Sequence, residues 1–90
     1  MGLTIRFSKT AAEATNRLPI IDKKAIRAVI RLLASSAEDV RKHPKVIRER
    51  DAPDNLVLYT VVVGDWKVVM VLDADDLVIT DLIHWDRPAV

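Results

Sequence analysis

Apolar positions along this chain change their period twice. Leu3, Ile5 and Phe7 alternate with Thr4 and Arg6, the pattern of a half-buried strand. Ser8 is placed to cap a short first helix, and Thr10-Ala11-Ala12-Glu13 repeats a capping-box pattern one turn later. That helix should end near Leu18-Pro19. A second helix is predicted from about Ile20 to Ala34, because Ile26, Val29, Ile30 and Leu33 recur three or four apart and mark a buried face. Lys23, Arg27 and Arg31 recur on the opposite face, with Lys24 beside them. Ser35–Pro44 is a polar break with room for one more helical turn begun at Ser36 and stopped before Pro44. Lys45–Asp51 reads as an extended segment, and Ala52-Pro53-Asp54-Asn55 as a turn.

The remainder predicts three strands, Leu56–Val63, Lys67–Leu72 and Leu77–Ile83. Gly64-Asp65 joins the first pair as a type I′ or II′ hairpin, and Asp73-Ala74-Asp75-Asp76 joins the second. The middle strand is apolar from Val68 to Leu72, so both of its faces need cover. Helices can supply one side; loops, the tail or a partner must supply the other. The expected architecture is α+β: an N-terminal strand, two helices, and an antiparallel three-stranded meander in one small sheet with the helices on one face.

Composition narrows the class. Ninety residues, 50% hydrophobic and 30% charged, suit one globular domain spanning 1–90. There is no cysteine, which removes disulfides and thiolate metal sites and suits a reducing cytoplasm. The longest apolar run, Leu56–Val63, is far short of the ~20 residues that span a bilayer, so a soluble cytoplasmic protein with no membrane partner is expected. Asp73, Asp75 and Asp76 cluster without the glycine and glutamate of a calcium loop and read as turn formers. His43 and His84 are far apart, and no glycine-rich phosphate loop or nucleophile elbow is present, so no metal or cofactor is expected.

The net charge of +1 hides an asymmetry. Residues 1–50 carry twelve Lys or Arg against five Asp or Glu, whereas residues 51–90 carry two against eight. A basic half suits a phosphate-rich partner, or else the two halves fold against each other and cancel.

With the order strand, helix, helix, meander in place, the chain resembles the RelE/ParE superfamily of toxins from bacterial toxin–antitoxin pairs, over roughly Leu3 to Arg87. The stretches that carry the resemblance are Ser8-Lys9-Thr10-Ala11, the strand from Leu58 through Tyr59, Gly64-Asp65-Trp66-Lys67 and Val69, and Leu82-Ile83-His84-Trp85-Asp86-Arg87. The resemblance implies a small sheet with two helices on one face. RelE-like members cut messenger RNA in the ribosomal decoding site; ParE-like members inhibit DNA gyrase and need no nuclease site. Both are neutralised by an antitoxin peptide that wraps the toxin.

Cleavage of this kind uses the neighbouring 2′-hydroxyl as nucleophile, so the protein must stabilise a charged phosphorane and manage two protons. By position, the resemblance assigns Lys67 and Arg87 to charge stabilisation and His84 to proton transfer. Trp85 would stack on an unpaired base or cover the sheet. Lys23, Arg27 and Arg31, with Lys45, Arg48 and Arg50, would hold RNA backbone or form a solvated face. Three departures stand against the nuclease. Thr60 occupies a place where the family often has arginine, Asp86 replaces a common tail arginine, and no tyrosine follows His84. The implied activity is therefore ribosome-dependent mRNA cleavage by a metal-free endoribonuclease, with an antitoxin, the ribosome and mRNA as partners. A non-cleaving binder, including a gyrase inhibitor, is the alternative, and an all-apolar strand completed by another subunit would make a homo- or hetero-oligomer.

Overall fold

A computed structural model describes residues 2–35, 40–49 and 57–84. Strand β1 is Thr4–Phe7, helix α1 Lys9–Asn16 and helix α2 Ile20–Ser35. A short 3-10 turn, Val40–Lys42, leads to β2, Val46–Glu49; the meander is β3 Leu58–Val63, β4 Trp66–Asp73 and β5 Asp76–His84. The sheet has five strands in the order β1-β5-β4-β3-β2. The expected meander, the two helices and the N-terminal strand are all present. The correction lies in the count: part of the extended segment Lys45–Asp51 is a fifth strand, antiparallel to β3 at one edge. At the other edge β1 runs parallel to β5.

Local chemistry explains the boundaries. Ser8 caps α1: its Oγ accepts the Ala11 amide at 3.1 Å and donates to the Thr80 carbonyl at 2.9 Å, tying the helix start to β5. The helix begins at Lys9, so the second capping pattern at Thr10 is not used. The Leu18 amide closes the helix end onto Thr15, and Pro19 separates α1 from α2.

Both turns of the meander have two residues at their tips, and each has a residue in the left-handed region: Gly64 at φ 60° and Ala74 at φ 52°. Glycine adopts that conformation freely, whereas alanine is strained there. Ala74→Gly should therefore raise stability by ~0.5–1 kcal/mol in urea unfolding.

The core lies between the helices and one face of the sheet. Ala11 and Leu18 of the first helical arm and Ile26, Ile30 and Leu33 of α2 pack on Tyr59, Val61, Val68, Met70, Leu77, Ile79 and Leu82. The spacing 77, 79, 82 breaks strand alternation. A bulge accounts for it: the ladder pairs Met70 with Ile79 but Val69 with Asp81, leaving Thr80 as an extra residue. The one-residue shift turns Leu82 inward beside Val68.

Candidate functional site

The sheet face away from the helices carries the candidate chemistry. Alternation along β3 sends Tyr59 and Val61 to the core and Thr60 and Val62 to this face. Ile47 pairs with Thr60, Val69 with Thr60 and Asp81, and Lys67 with Val62 and Ile83, so all of these share it. Thr60 and Val69 are buried here although they stand outside the helix-side core. Around them Ile47, Val62 and Ile83 are exposed apolar side chains. Cover for the second face of β4 is thus only partial among the described residues.

Lys67 sits within this face. Its ammonium is 2.7 Å from Oε1 of Glu49, and the Thr60 hydroxyl donates to the same carboxylate oxygen at 3.1 Å. Both ionic side chains are about one-third exposed, Lys67 at 36% and Glu49 at 34%. The hydrogen bond from Lys67, followed by that from Thr60, holds the Glu49 carboxyl below its ordinary value. Glu49 thus stays ionised, and the pair's modest contribution to stability is present above the ordinary glutamate value and fades as pH falls through the depressed one.

Glu49 has no mark of a site residue in its local sequence. It meets Lys67 only because β2 joins the edge of the sheet, and neither residue's local sequence marks the other. A carboxylate held low is a weak general base but a strong competitor of phosphate for the lysine. Glu49→Gln should therefore free the Lys67 ammonium for an anion, and on the expectation that this face takes RNA it should tighten that binding by about three- to tenfold at low salt in an anisotropy titration.

His84 is placed elsewhere. It pairs with Trp66, and the two rings meet edge-to-face with centroids 4.9 Å apart and an interplanar angle of 83°. Trp66 packs against the helix-side core and its indole N–H donates to Asp22 of α2 at 3.4 Å. Lys67 and His84 therefore point to opposite faces. The bulge at Thr80 is the reason: continuing the Asp73–Asp76 register unbroken would pair Lys67 with Leu82 and bring His84 to its side.

Among the basic residues, Arg27 and Arg31 are exposed on the outer side of α2, and Lys23 is half-buried in the same row. Arg27 also lines a shallow groove with Phe7, Ala12, Thr15 and Asn16. Lys45 is exposed beside the edge strand, and Arg48 pairs with Tyr59, which puts it on the helix side. Arg48 and the α2 row thus do not share a face with Lys67. Arg50, Trp85, Asp86 and Arg87 lie outside the described residues, as does the turn Ala52–Asn55. Among the described residues no group of three His, Asp or Glu is placed to hold a metal ion, and no helix is long and apolar enough to cross a membrane.

Neither a protein-family model nor a curated relative matches the chain by sequence. Solved structures do match. The chain is similar to the archaeal RelE of the RelE–RelB complex from Pyrococcus horikoshii OT3, with a TM-score of 0.74 and 21% identity, covering 97% of this chain and 99% of that one. A chain of the RelB–RelE antitoxin–toxin complex from Methanococcus jannaschii matches with a TM-score of 0.67 and 16% identity over 88% of each chain. The isolated Escherichia coli RelE toxin matches with a TM-score of 0.66 and 13% identity over 94% of this chain and 86% of that one. These likenesses span nearly the whole chain on both sides, and they identify its fold as that of the RelE toxins.

Proposed function

We propose that this protein is the toxin of a type II toxin–antitoxin pair and blocks translation in the cytoplasm by ribosome-dependent cleavage of mRNA. The observation that carries the reading is Lys67 on a face of a RelE-type sheet that the described residues cover only in part, ringed by the exposed apolar side chains of Ile47, Val62 and Ile83. A face of that make-up can receive both an apolar protein segment and a phosphate. The RelE structures that share the fold include complexes with RelB antitoxins, which supports a cognate antitoxin as partner here.

In the proposed reaction the 2′-hydroxyl oxygen attacks the adjacent phosphorus and loses its proton. The bond from phosphorus to the 5′-oxygen breaks, and that oxygen takes up a proton, leaving a cyclic phosphate and a 5′-hydroxyl end. Lys67 exchanges Glu49 for the phosphate and balances the charge of the phosphorane. Arg87 is proposed to clamp a second phosphate oxygen. His84, turned toward Trp66, is not aimed at a phosphate bound on Lys67.

Induced expression tests the reading. Incorporation of radiolabelled methionine should stop within minutes and recover when the product of the neighbouring reading frame is co-expressed. Continued incorporation at full expression would overturn it.

A second reading is favoured by one specific observation: the Lys67 charge is already matched by Glu49, and buried Thr60 supplies no cation beside it. On that reading the face binds a protein target without cleaving RNA, DNA gyrase being the candidate. Loss of gyrase supercoiling activity on addition of the protein, with mRNA left intact, would select it.

A further inference from the structure

A groove on the helix side of the sheet lies apart from Lys67. Phe7, the only phenylalanine of the chain, closes β1 and lines the groove with Ala12, Thr15 and Asn16 of α1 and Arg27 of α2. Phe7 pairs with buried Ile79, which puts its ring on the helix side, and β1 is an edge strand, so no further strand stands beside it. The ring is 37% exposed. The groove holds about 150 Å³, room for one flat ring and not for the face of a helix.

Its polar groups decide the ligand. The Thr15 hydroxyl is committed to the Ala11 carbonyl at 2.7 Å. Arg27 and Asn16 are both exposed, and among the described residues neither side chain has a hydrogen bond or an ion pair. One aromatic ring, one guanidinium and one carboxamide around a groove of this size match a nucleotide. A base stacks on the ring, the carboxamide offers a donor and an acceptor to the base edge, and the guanidinium forks onto phosphate. Lys23 and Arg31 stand four residues to either side of Arg27, about 6 Å along the helix axis, and extend the row to neighbouring phosphates. Glu13, the one acid of α1, is outside the lining and is spaced four residues from both Lys9 and Arg17. A partner helix fits poorly, because Lys23 and Lys24 stand between the groove and exposed Ile20 and interrupt the apolar surface.

We propose that this groove holds one base of a single-stranded RNA, stacked on Phe7, with Arg27 on the adjoining phosphate and Asn16 on the base edge. The site lies across the sheet from Lys67, so it grips RNA without cutting it and does not depend on the cleavage reading.

The test uses the full chain without ribosomes and two fluorescein-labelled strands of about eight nucleotides, oligoadenylate and an abasic sugar–phosphate strand. Anisotropy at low salt should show the base-bearing strand binding about tenfold or more tightly than the abasic one. Phe7→Leu keeps the apolar volume but loses the flat face, and should bring the two strands within about twofold while the far-ultraviolet spectrum stays unchanged. Phe7→Trp should keep or widen the difference. Arg27→Gln, at an exposed position, should weaken binding of both strands about three- to tenfold and lower the salt slope by about 0.7. Lys67→Ala should leave the difference intact, which separates failure here from failure of the cleavage reading. Equal binding of the two strands, or a difference that survives Phe7→Leu, overturns the proposal. So does adenosine monophosphate binding as tightly as the oligomer, or a leucine- and glutamate-rich peptide that binds more tightly and is lost in Phe7→Leu. Those outcomes would make the occupant a free nucleotide or a protein segment.

Discussion

Lys67→Ala should abolish toxicity and RNA cleavage while leaving the protein folded. The side chain is about one-third exposed, and its ion pair with Glu49 is of the half-exposed kind. Such pairs contribute up to ~1 kcal/mol, so unfolding by urea should shift little. The catalytic loss should be far larger. Removing one preorganised charge from a phosphorane typically lowers the rate by about 100- to 1,000-fold, because the stabilisation acts mostly where charge develops. Lys67→Arg should retain much of the activity, since guanidinium keeps the charge and adds a two-pronged contact to phosphate oxygens. A fully toxic Lys67→Ala protein would remove Lys67 from the mechanism.

Ile30→Ala should have the largest effect on stability. Ile30 is 1% exposed, within the cluster that joins α2 to β3, β4 and β5. Truncating such a side chain costs ~2–5 kcal/mol through lost burial and the cavity left behind. A domain of this size has on the order of 5 kcal/mol in total, so the variant should melt at least about 10 °C lower and be partly unfolded at 37 °C. Leu32 is two residues away but 57% exposed, and Leu32→Ala should change stability by less than ~0.5 kcal/mol. The pair of melting curves tests whether α2 faces the sheet as described.

Much of this fold can be read from residue patterns. Ile26, Val29, Ile30 and Leu33 mark the inner face of α2, Gly64-Asp65 marks a two-residue hairpin, and Ser8 marks the start of α1. What escapes is whatever depends on sheet edges and register. Strand β2 has its two apolar residues, Val46 and Ile47, adjacent, so they fall on opposite faces and give no alternation. Its place in the sheet comes from pairing with β3, a contact invisible to a local window. The bulge at Thr80 has a signal, the spacing of Leu77, Ile79 and Leu82, but reading it requires knowing which face is buried.

The surroundings of the candidate site depend on the same edge and register effects. Lys67 stands on the sheet face away from the helices, about one-third exposed and paired with Glu49. Its partner Glu49 depends on β2 and had no signal of its own. An unbroken β4–β5 ladder would bring Lys67 and His84 to one face, and a single extra residue sends the histidine to Trp66 instead.

The proposed activity is cleavage of mRNA on the ribosome by the RelE-type sheet through Lys67. Purified protein added to a reconstituted translation reaction, followed by primer extension along the mRNA, tests it most directly. New 5′ ends within the coding sequence should appear only when ribosomes are present and vanish with Lys67→Ala. Translation arrest without new ends, or ends that persist unchanged in the Lys67→Ala reaction, would contradict it.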